Sequence, residues 1–131
     1  MNLYRGCTHG CIYCDSRSKC YGFTHAFEDI EVKGNAPELL EEALRRKRRL
    51  CMIGTGAMSD PYLHCEEQLG LTRQCLELIA KYGFGATVLT KSDRVLRDLD
   101  LLQKIQQNAK CVVQMTLTTW NETLCRILEP H

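Results

Sequence analysis

Three cysteines near the N-terminus are spaced like the ligands of an inorganic centre. They follow the pattern C-x-x-x-C-x-x-C, with thiols at Cys7, Cys11 and Cys14. Cysteine thiolates are the usual protein ligands of iron–sulfur clusters. Three thiolates bind three irons of a four-iron cluster and leave the fourth iron open to another ligand, which suggests chemistry at that iron. Gly6 and Gly10 suit a loop that wraps closely around a bulky core.

The same cysteines allow two other interpretations. With His9 or Cys20 as a fourth ligand they would form a tetrahedral zinc site, although structural zinc sites more often use paired C-x-x-C units. A disulfide framework is the third alternative, but the other cysteines show no such spacing: Cys20, Cys51, Cys65, Cys75, Cys111 and Cys125. Because no signal peptide is visible either, we expect a reducing, cytoplasmic location.

The composition predicts one ordinary globular domain. The net charge of the 131 residues is +1, and the hydrophobic content is 44%. No apolar run is long enough to cross a membrane, so we expect no membrane association. One basic run, Arg-Arg-Lys-Arg-Arg at 45–49, ends a helical pattern, where cations complement the helix dipole. A nucleic-acid-binding protein that uses this run is a further hypothesis, but aromatic residues do not interleave with the run as base stacking requires.

Helical and strand patterns alternate along the chain. Apolar positions at helical spacing follow Pro37 and recur over 71–82, over 93–105 and over 121–128. Short apolar runs predict strands at 3–5, 50–53, 86–90 and 111–118. This order corresponds to four βα units, which predicts a parallel sheet with crossover helices.

Polar residues follow each predicted strand, where open parallel sheets and α/β barrels place their active sites. Because these ends meet at one edge of a sheet, we expect one shared site. The residues concerned are the cysteine loop, Ser59 and Asp60, Lys91 to Asp93, and Thr116, Thr118 and Thr119.

Longer sequence segments around these residues favour one enzyme superfamily. The segments 2–17, 54–62, 90–92 and 117–119, with an aromatic Tyr13 before the last cysteine of the motif, resemble the radical S-adenosylmethionine enzymes. The branch that they resemble is the spore photoproduct lyase-like one, also called DNA repair photolyase. The resemblance implies an α/β fold, a partial (βα) barrel with about four of six βα units present. Residues 1–131 would then be the N-terminal part of a truncated core domain. We expect such a domain either to self-associate through the edge at 111–118 or to be a marginal monomer that is ordered mainly around its first three units.

The resemblance also implies cofactors and the residues that hold them. Cys7, Cys11 and Cys14 would ligate a [4Fe-4S] cluster, and S-adenosylmethionine would bind the open iron through its amino and carboxylate groups. Reductive cleavage would release a 5′-deoxyadenosyl radical that abstracts hydrogen from a substrate. The electron would come from a donor such as flavodoxin or ferredoxin. The substrate is unknown, with nucleic acid as one candidate class.

The same resemblance implies roles for individual residues. Ser59, with the backbone around Met58, would meet the methionine amino group, and Lys91 would pair with the methionine carboxylate. Thr116 would contact the nucleoside or methionine part, and Tyr13 would pack near the adenine.

Two positions depart from the lyase pattern. Ala57 stands where true spore photoproduct lyases carry a cysteine that returns a hydrogen atom to the product, and Asp15 stands where the relay has a second tyrosine. Because neither side chain donates a hydrogen atom easily, the lyase reaction itself is not expected.

Overall fold

The computed structural model describes residues 1–130, which form five strands and five α-helices joined by loops and short 3-10 turns. The longest helices have 11 residues, and no helix in 1–130 has the length and apolar character needed to cross a bilayer. The strands are β1 (Tyr4–Arg5), β2 (Glu31–Val32), β3 (Met52–Thr55), β4 (Gly85–Thr90) and β5 (Cys111–Met115). The helices are α1 (Ala36–Arg46), α2 (Glu66–Leu69), α3 (Leu71–Lys81), α4 (Leu99–Asn108) and α5 (Glu122–Leu128).

A three-stranded parallel sheet is formed by β3, β4 and β5 in that order. Ala86 of β4 lies opposite Ile53 of β3 on one side and opposite Cys111 of β5 on the other. Parallel neighbours need long crossover connections, and α3 and α4 supply them. Within residues 1–130, β5 has a neighbour on one side only.

The main core lies between this sheet and the helices α1, α3 and α4. Leu76 and Ile79 of α3, Ile105 of α4 and Val88 of β4 are almost completely buried in it. Burying one such side chain stabilises the fold by roughly 1.5–3 kcal/mol. These contacts fix the carboxyl ends of β3 and β4, from which the loops of the candidate site extend.

A smaller core attaches the N-terminal strand to α3. Leu3 and Tyr4 pack there against Leu63, Leu71 and Cys75. Burial raises the pKa of the Cys75 thiol to about 12, so this cysteine is an apolar packing residue and not a nucleophile. Because the cysteine loop follows β1 directly, this core determines where the loop begins.

The prediction of a partial barrel with four βα units is wrong. The first strand does not join the parallel sheet, since β1 pairs antiparallel with β2 in a separate ribbon, with Tyr4 opposite Val32. The physical reason lies in the connection between the two strands. Residues 6–30 contain no α-helix that could serve as a parallel crossover, only two 3-10 turns, so the chain returns beside β1 in the opposite direction. The fold is therefore a small α/β structure with an open sheet.

The other predicted elements are confirmed, with shifted ends. The strand predicted at 50–53 lies at Met52–Thr55, because Leu50 is exposed and Gly56 ends the strand with a positive φ. The strand predicted to run to Thr118 ends at Met115, which is the last residue with a partner on β4. The helix predicted from Asp93 starts as a 3-10 turn, which the Ser92 hydroxyl caps by accepting a hydrogen bond from the N–H of Arg94.

Two fully buried carboxylates hold the loops beneath the site. Glu66 accepts hydrogen bonds from the Tyr4 hydroxyl and from Arg97, and Asp98 accepts from Tyr62 at 3.1 Å and from Arg97 at 2.9 Å. Burial alone would raise the pKa of Asp98, but its arginine partners lower it overall. Removing one partner of such a pair leaves a buried charge uncompensated. These hydrogen bonds therefore link β1, α2 and the turn before α4 to one another.

Candidate functional site

A cavity of about 370 Å³ opens at the carboxyl ends of β3 and β4, against the loop that follows β1. The sequence places polar residues at these ends, and the structure brings them to one place. All eight residues assigned to the cluster or to the cofactor line this cavity: Cys7, Cys11, Cys14, Tyr13, Met58, Ser59, Lys91 and Thr116. Of the other residues expected in the shared site, Ser92, Asp93, Thr118 and Thr119 do not line it.

The cysteine loop turns sharply at its first residue. Gly6 has a φ of +93°, and a Cβ atom there would collide with the carbonyl oxygen of Phe27. The N–H of Cys7 donates to that same carbonyl at 3.1 Å. Only glycine combines this conformation with this close approach. The loop is thus held against residues 27–29 at the point where it presents its first thiol.

The three thiols differ in exposure but are all free. Cys11 is buried, while Cys7 and Cys14 are partly exposed at the cavity wall. Burial is the main cause that raises the pKa values of the Cys7 and Cys11 thiols. Metal ions bind thiolates, so a bound metal would displace these protons.

Asp60 joins the three parts of the site. Its Oδ1 accepts from the Thr90 hydroxyl at 2.7 Å and from the N–H of Tyr62 at 2.8 Å, and its Oδ2 accepts from the N–H of Lys91 at 2.7 Å. Oδ2 also lies 3.1 Å from Nε2 of His9 in the cysteine loop. Burial would raise the pKa of Asp60, but the His9 ring and these donors lower it overall. An ionised carboxylate therefore connects the cysteine loop to the end of β4.

His9 lies between the first two cysteines and is only 9% exposed. Its Nε2 atom is buried and makes no well-formed hydrogen bond with any residue of 1–130, although Asp60 is close. Such an atom is uncommon in a folded protein, where nearly all buried polar groups are paired. The contact with Asp60 keeps the ring on the inner side of the loop.

Ser59 uses its hydroxyl within the protein. The hydroxyl donates to the carbonyl oxygen of Gly6 at 2.5 Å, and the side chain is buried. This bond joins the loop after β3 to the start of the cysteine loop. The role assigned to Ser59 toward the methionine amino group stays a prediction. In this structure the Ser59 hydroxyl donates its hydrogen bond to a backbone carbonyl.

Lys91 takes part in an ion pair that the sequence does not indicate. Its ammonium group binds Oε1 of Glu129, and the same oxygen accepts from the hydroxyls of Tyr13 and Thr118. Burial would raise the pKa of Glu129, but the hydrogen bonds from Lys91, Thr118 and Tyr13 lower it to about 2. The segment after α5 is also tied to the cysteine loop, since the N–H of Ile12 donates to the carbonyl of Leu128 at 3.0 Å.

The donor set has the chemistry of an iron–sulfur ligand set. No group of three or more His, Cys, Asp or Glu side chains within 1–130 is placed to hold one metal ion, as a tetrahedral zinc site requires. A four-iron cluster binds each cysteine at a different iron, so its ligands surround a volume and need not converge on one point. Here three free thiols line the wall of one cavity.

Three participants in this arrangement were given no specific role from the sequence, although Asp60 and Thr118 were expected in the shared site. A turn or cap residue was the alternative interpretation of Asp60, and its partners Thr90 and Lys91 lie 30 and 31 positions away. Glu129 lies 38 positions from Lys91, before a proline at the end of a short helix, and nothing in that context distinguishes it from a helix-end residue. Thr118 follows the strand that ends at Met115, and its partner Tyr13 lies 105 positions away.

The chain resembles longer proteins over nearly all of its length. An uncharacterized protein of Methanocaldococcus jannaschii is 33% identical over 132 residues, which cover 99% of this chain and 48% of the relative. Uncharacterized proteins of Mycobacterium bovis and Mycobacterium tuberculosis are each 30% identical over 142 residues, covering 98% of this chain and 40% of the relative. No family model and no solved structure matches the chain. The chain thus spans about half the length, or less, of the curated relatives it matches.

Proposed function

We propose that the protein is a radical S-adenosylmethionine enzyme. The observation that supports this proposal is the shared cavity. The three thiols of the C-x-x-x-C-x-x-C loop line it together with Lys91, a cation for an anionic ligand group. When bound, a reduced [4Fe-4S] cluster supplies the electron that cleaves the sulfonium of S-adenosylmethionine, and the 5′-deoxyadenosyl radical so formed abstracts hydrogen from a substrate.

Different residues of the chain would bind the cluster and orient S-adenosylmethionine. Cys7, Cys11 and Cys14 would hold the cluster, and the loop that carries them is fixed by the bond from Ser59 to Gly6. Lys91 would donate to the ligand carboxylate. The N–H of Lys91 donates a 2.7 Å hydrogen bond to the buried carboxylate of Asp60, which fixes the Cα end of this long side chain. The protein supplies binding and orientation, while the cofactor carries the difficult chemistry.

The substrate step differs from that of spore photoproduct lyases in this proposal. Ala57 and Asp15 both line the cavity, at positions where the resemblance expects hydrogen-atom donors. An alanine methyl group and a carboxylate do not replace a thiol and a phenol. We therefore propose hydrogen abstraction from a different substrate.

The proposed activity is tested by the product of cofactor cleavage. The protein is reconstituted anaerobically with iron and sulfide, reduced, and incubated with S-adenosylmethionine, and 5′-deoxyadenosine is quantified. The wild type should form it, Cys11→Ala should not, and the exposed Cys51→Ala variant should match the wild type. Absence of 5′-deoxyadenosine from a wild type that holds the cluster would reject the proposal.

A further inference from the structure

A second cavity, of about 430 Å³, lies against the ribbon of β1 and β2 and next to the cavity that the cysteine loop lines. Met58 lines both cavities. Tyr21 lies in the wall of the second cavity, and its hydroxyl donates at 2.9 Å to the carboxylate of Asp15, which lines the first. A ligand in the second cavity therefore lies beside whatever the cysteine cavity binds.

The wall of the second cavity is mostly apolar, with a few polar groups. Val32, Met58 and Tyr21 supply apolar and aromatic surface, and Val32 leaves 42% of its surface exposed although it lies on a strand. Asn2 adds an exposed amide group. Cavities of about 300–1,000 Å³ with this kind of lining are typical binding sites for small organic molecules. The second cavity thus has the size and the surface of a ligand site.

Two of the three charged residues in this wall neutralise each other. Nη1 of Arg5 lies 3.3 Å from the carboxylate of Glu31. Arg5 also donates to the carbonyl oxygen of Tyr21 at 2.6 Å, and Glu31 lies 2.7 Å from Nε2 of His25. Both charges are therefore compensated within the protein, and neither side chain is free to bind a ligand ion.

Lys33 is the third charged residue, and its charge is not compensated. The side chain is exposed, and its ammonium group has no ion pair or hydrogen bond with any residue of 1–130. Its backbone is fixed, because the N–H of Lys33 donates to the carbonyl oxygen of Leu3 at 2.9 Å. An ammonium group has three N–H donors and no acceptor, so this residue selects for an anionic group.

We propose that the second cavity binds a small organic anion, whose anionic group meets the Lys33 ammonium and whose apolar body packs against Val32, Met58 and Tyr21. Carboxylates and phosphate monoesters share this chemistry. The identification of this ligand as the substrate of the radical rests on the proposed function, whereas the preference for an anion does not.

The test compares ligands that share a phenyl body and differ in charge. The anions 3-phenylpropanoate and 2-phenylethyl phosphate and the neutral 3-phenylpropanamide are titrated into the protein, and backbone and methyl NMR signals report both affinity and location. The variants are Lys33→Gln and, as the matched control, Lys47→Gln. Lys47 is equally exposed but follows the far end of α1. Lys33→Gln keeps the backbone N–H that bonds to Leu3, so the ribbon should stay intact.

The wild type and Lys47→Gln should bind at least one anion roughly two- to tenfold more tightly than the neutral amide, which is the range for one hydrogen bond. The signals of Val32 and Met58 should shift, and Lys33→Gln should lose most of the preference. The better-bound anion distinguishes a carboxylate ligand from a phosphate ligand. Equal binding of the amide, an unchanged preference in Lys33→Gln, shifts confined to other residues, or no binding at all would overturn the proposal.

The same titrations separate this inference from the proposed function. If the preference for an anion depends on Lys33 while the reconstituted protein forms no 5′-deoxyadenosine, only the proposed function fails. If 5′-deoxyadenosine forms while the preference is absent or does not depend on Lys33, only the anion site fails.

Discussion

The carboxylate of Asp60 accepts a hydrogen bond from the N–H of Lys91 at 2.7 Å, which connects the loop after β3 to the end of β4. The same carboxylate lies 3.1 Å from the His9 ring between the cysteines. These two contacts of Asp60 explain how Lys91 and the cysteine loop are held in fixed positions around one cavity.

Asp60→Asn should destabilise the protein and displace Lys91. Asparagine keeps one acceptor oxygen for Thr90, but its amide N–H₂ would face the N–H of Lys91, so a buried donor would lose its partner. Such a loss costs about 1–3 kcal/mol. Urea unfolding measures this cost. Asp29→Asn at an exposed position is the control, and equal stability of the two variants would contradict the role given to Asp60.

Lys91→Ala should weaken binding of S-adenosylmethionine while leaving the iron content unchanged, because the lysine serves a carboxylate and not the metal. We expect a loss of roughly ten- to a hundredfold in affinity. Equilibrium dialysis and iron analysis measure the two quantities on the same sample. Lys104→Ala, on the exposed side of α4, should change neither. Unchanged affinity in Lys91→Ala would make Lys91 an ordinary loop residue.

Gly56→Ala should be much more damaging than Gly54→Ala two residues earlier. Gly56 has a φ of +95°, and a Cβ there would collide with the Leu89 carbonyl oxygen and lie 2.8 Å from its carbon. Conformational strain and overpacking together cost about 2–5 kcal/mol. At Gly54 the nearest atom is a methyl group of Thr87 at 3.3 Å, and we expect a change within about 1 kcal/mol. Thermal unfolding of the two variants ranks them, and similar midpoints would contradict the turn geometry.

The contribution of Glu129 to stability should disappear in acid. Its pKa is about 2 in the folded protein against an ordinary value of 4.5, so the carboxylate binds its proton less readily when folded. A lowered pKa gives stability that is fully present above pH 4.5 and is lost as the pH falls toward 2. The stability difference between the wild type and Glu129→Gln should therefore shrink over that range. A difference that does not change with pH would show that the pair with Lys91 does not form.

Much of the site was predictable because one general rule places it. Parallel strands end at a common edge, and this rule alone brings Ser59, Lys91 and Thr116 together from three separate loops. The prediction holds for β3, β4 and β5, whose apolar runs are long enough to be recognised.

The first strand shows where the same reasoning failed. Two residues, Tyr4 and Arg5, carry no signal for the direction of pairing, and that direction depends on whether the next 25 residues form a crossover helix. The contacts of Asp60 and Glu129 were not predicted, for a related reason. The roles of these two residues come from partners 30 or more positions away, and no local pattern records such contacts.

We propose that Cys7, Cys11 and Cys14 hold a four-iron cluster, and the iron and sulfide content of the protein after anaerobic reconstitution tests this proposal. We expect about four irons and four sulfides per chain with broad visible absorbance, loss of iron and sulfide in Cys11→Ala, and retention of both in the exposed Cys51→Ala variant. Stoichiometric zinc without sulfide in the wild type, or unchanged iron and sulfide in Cys11→Ala, would contradict it.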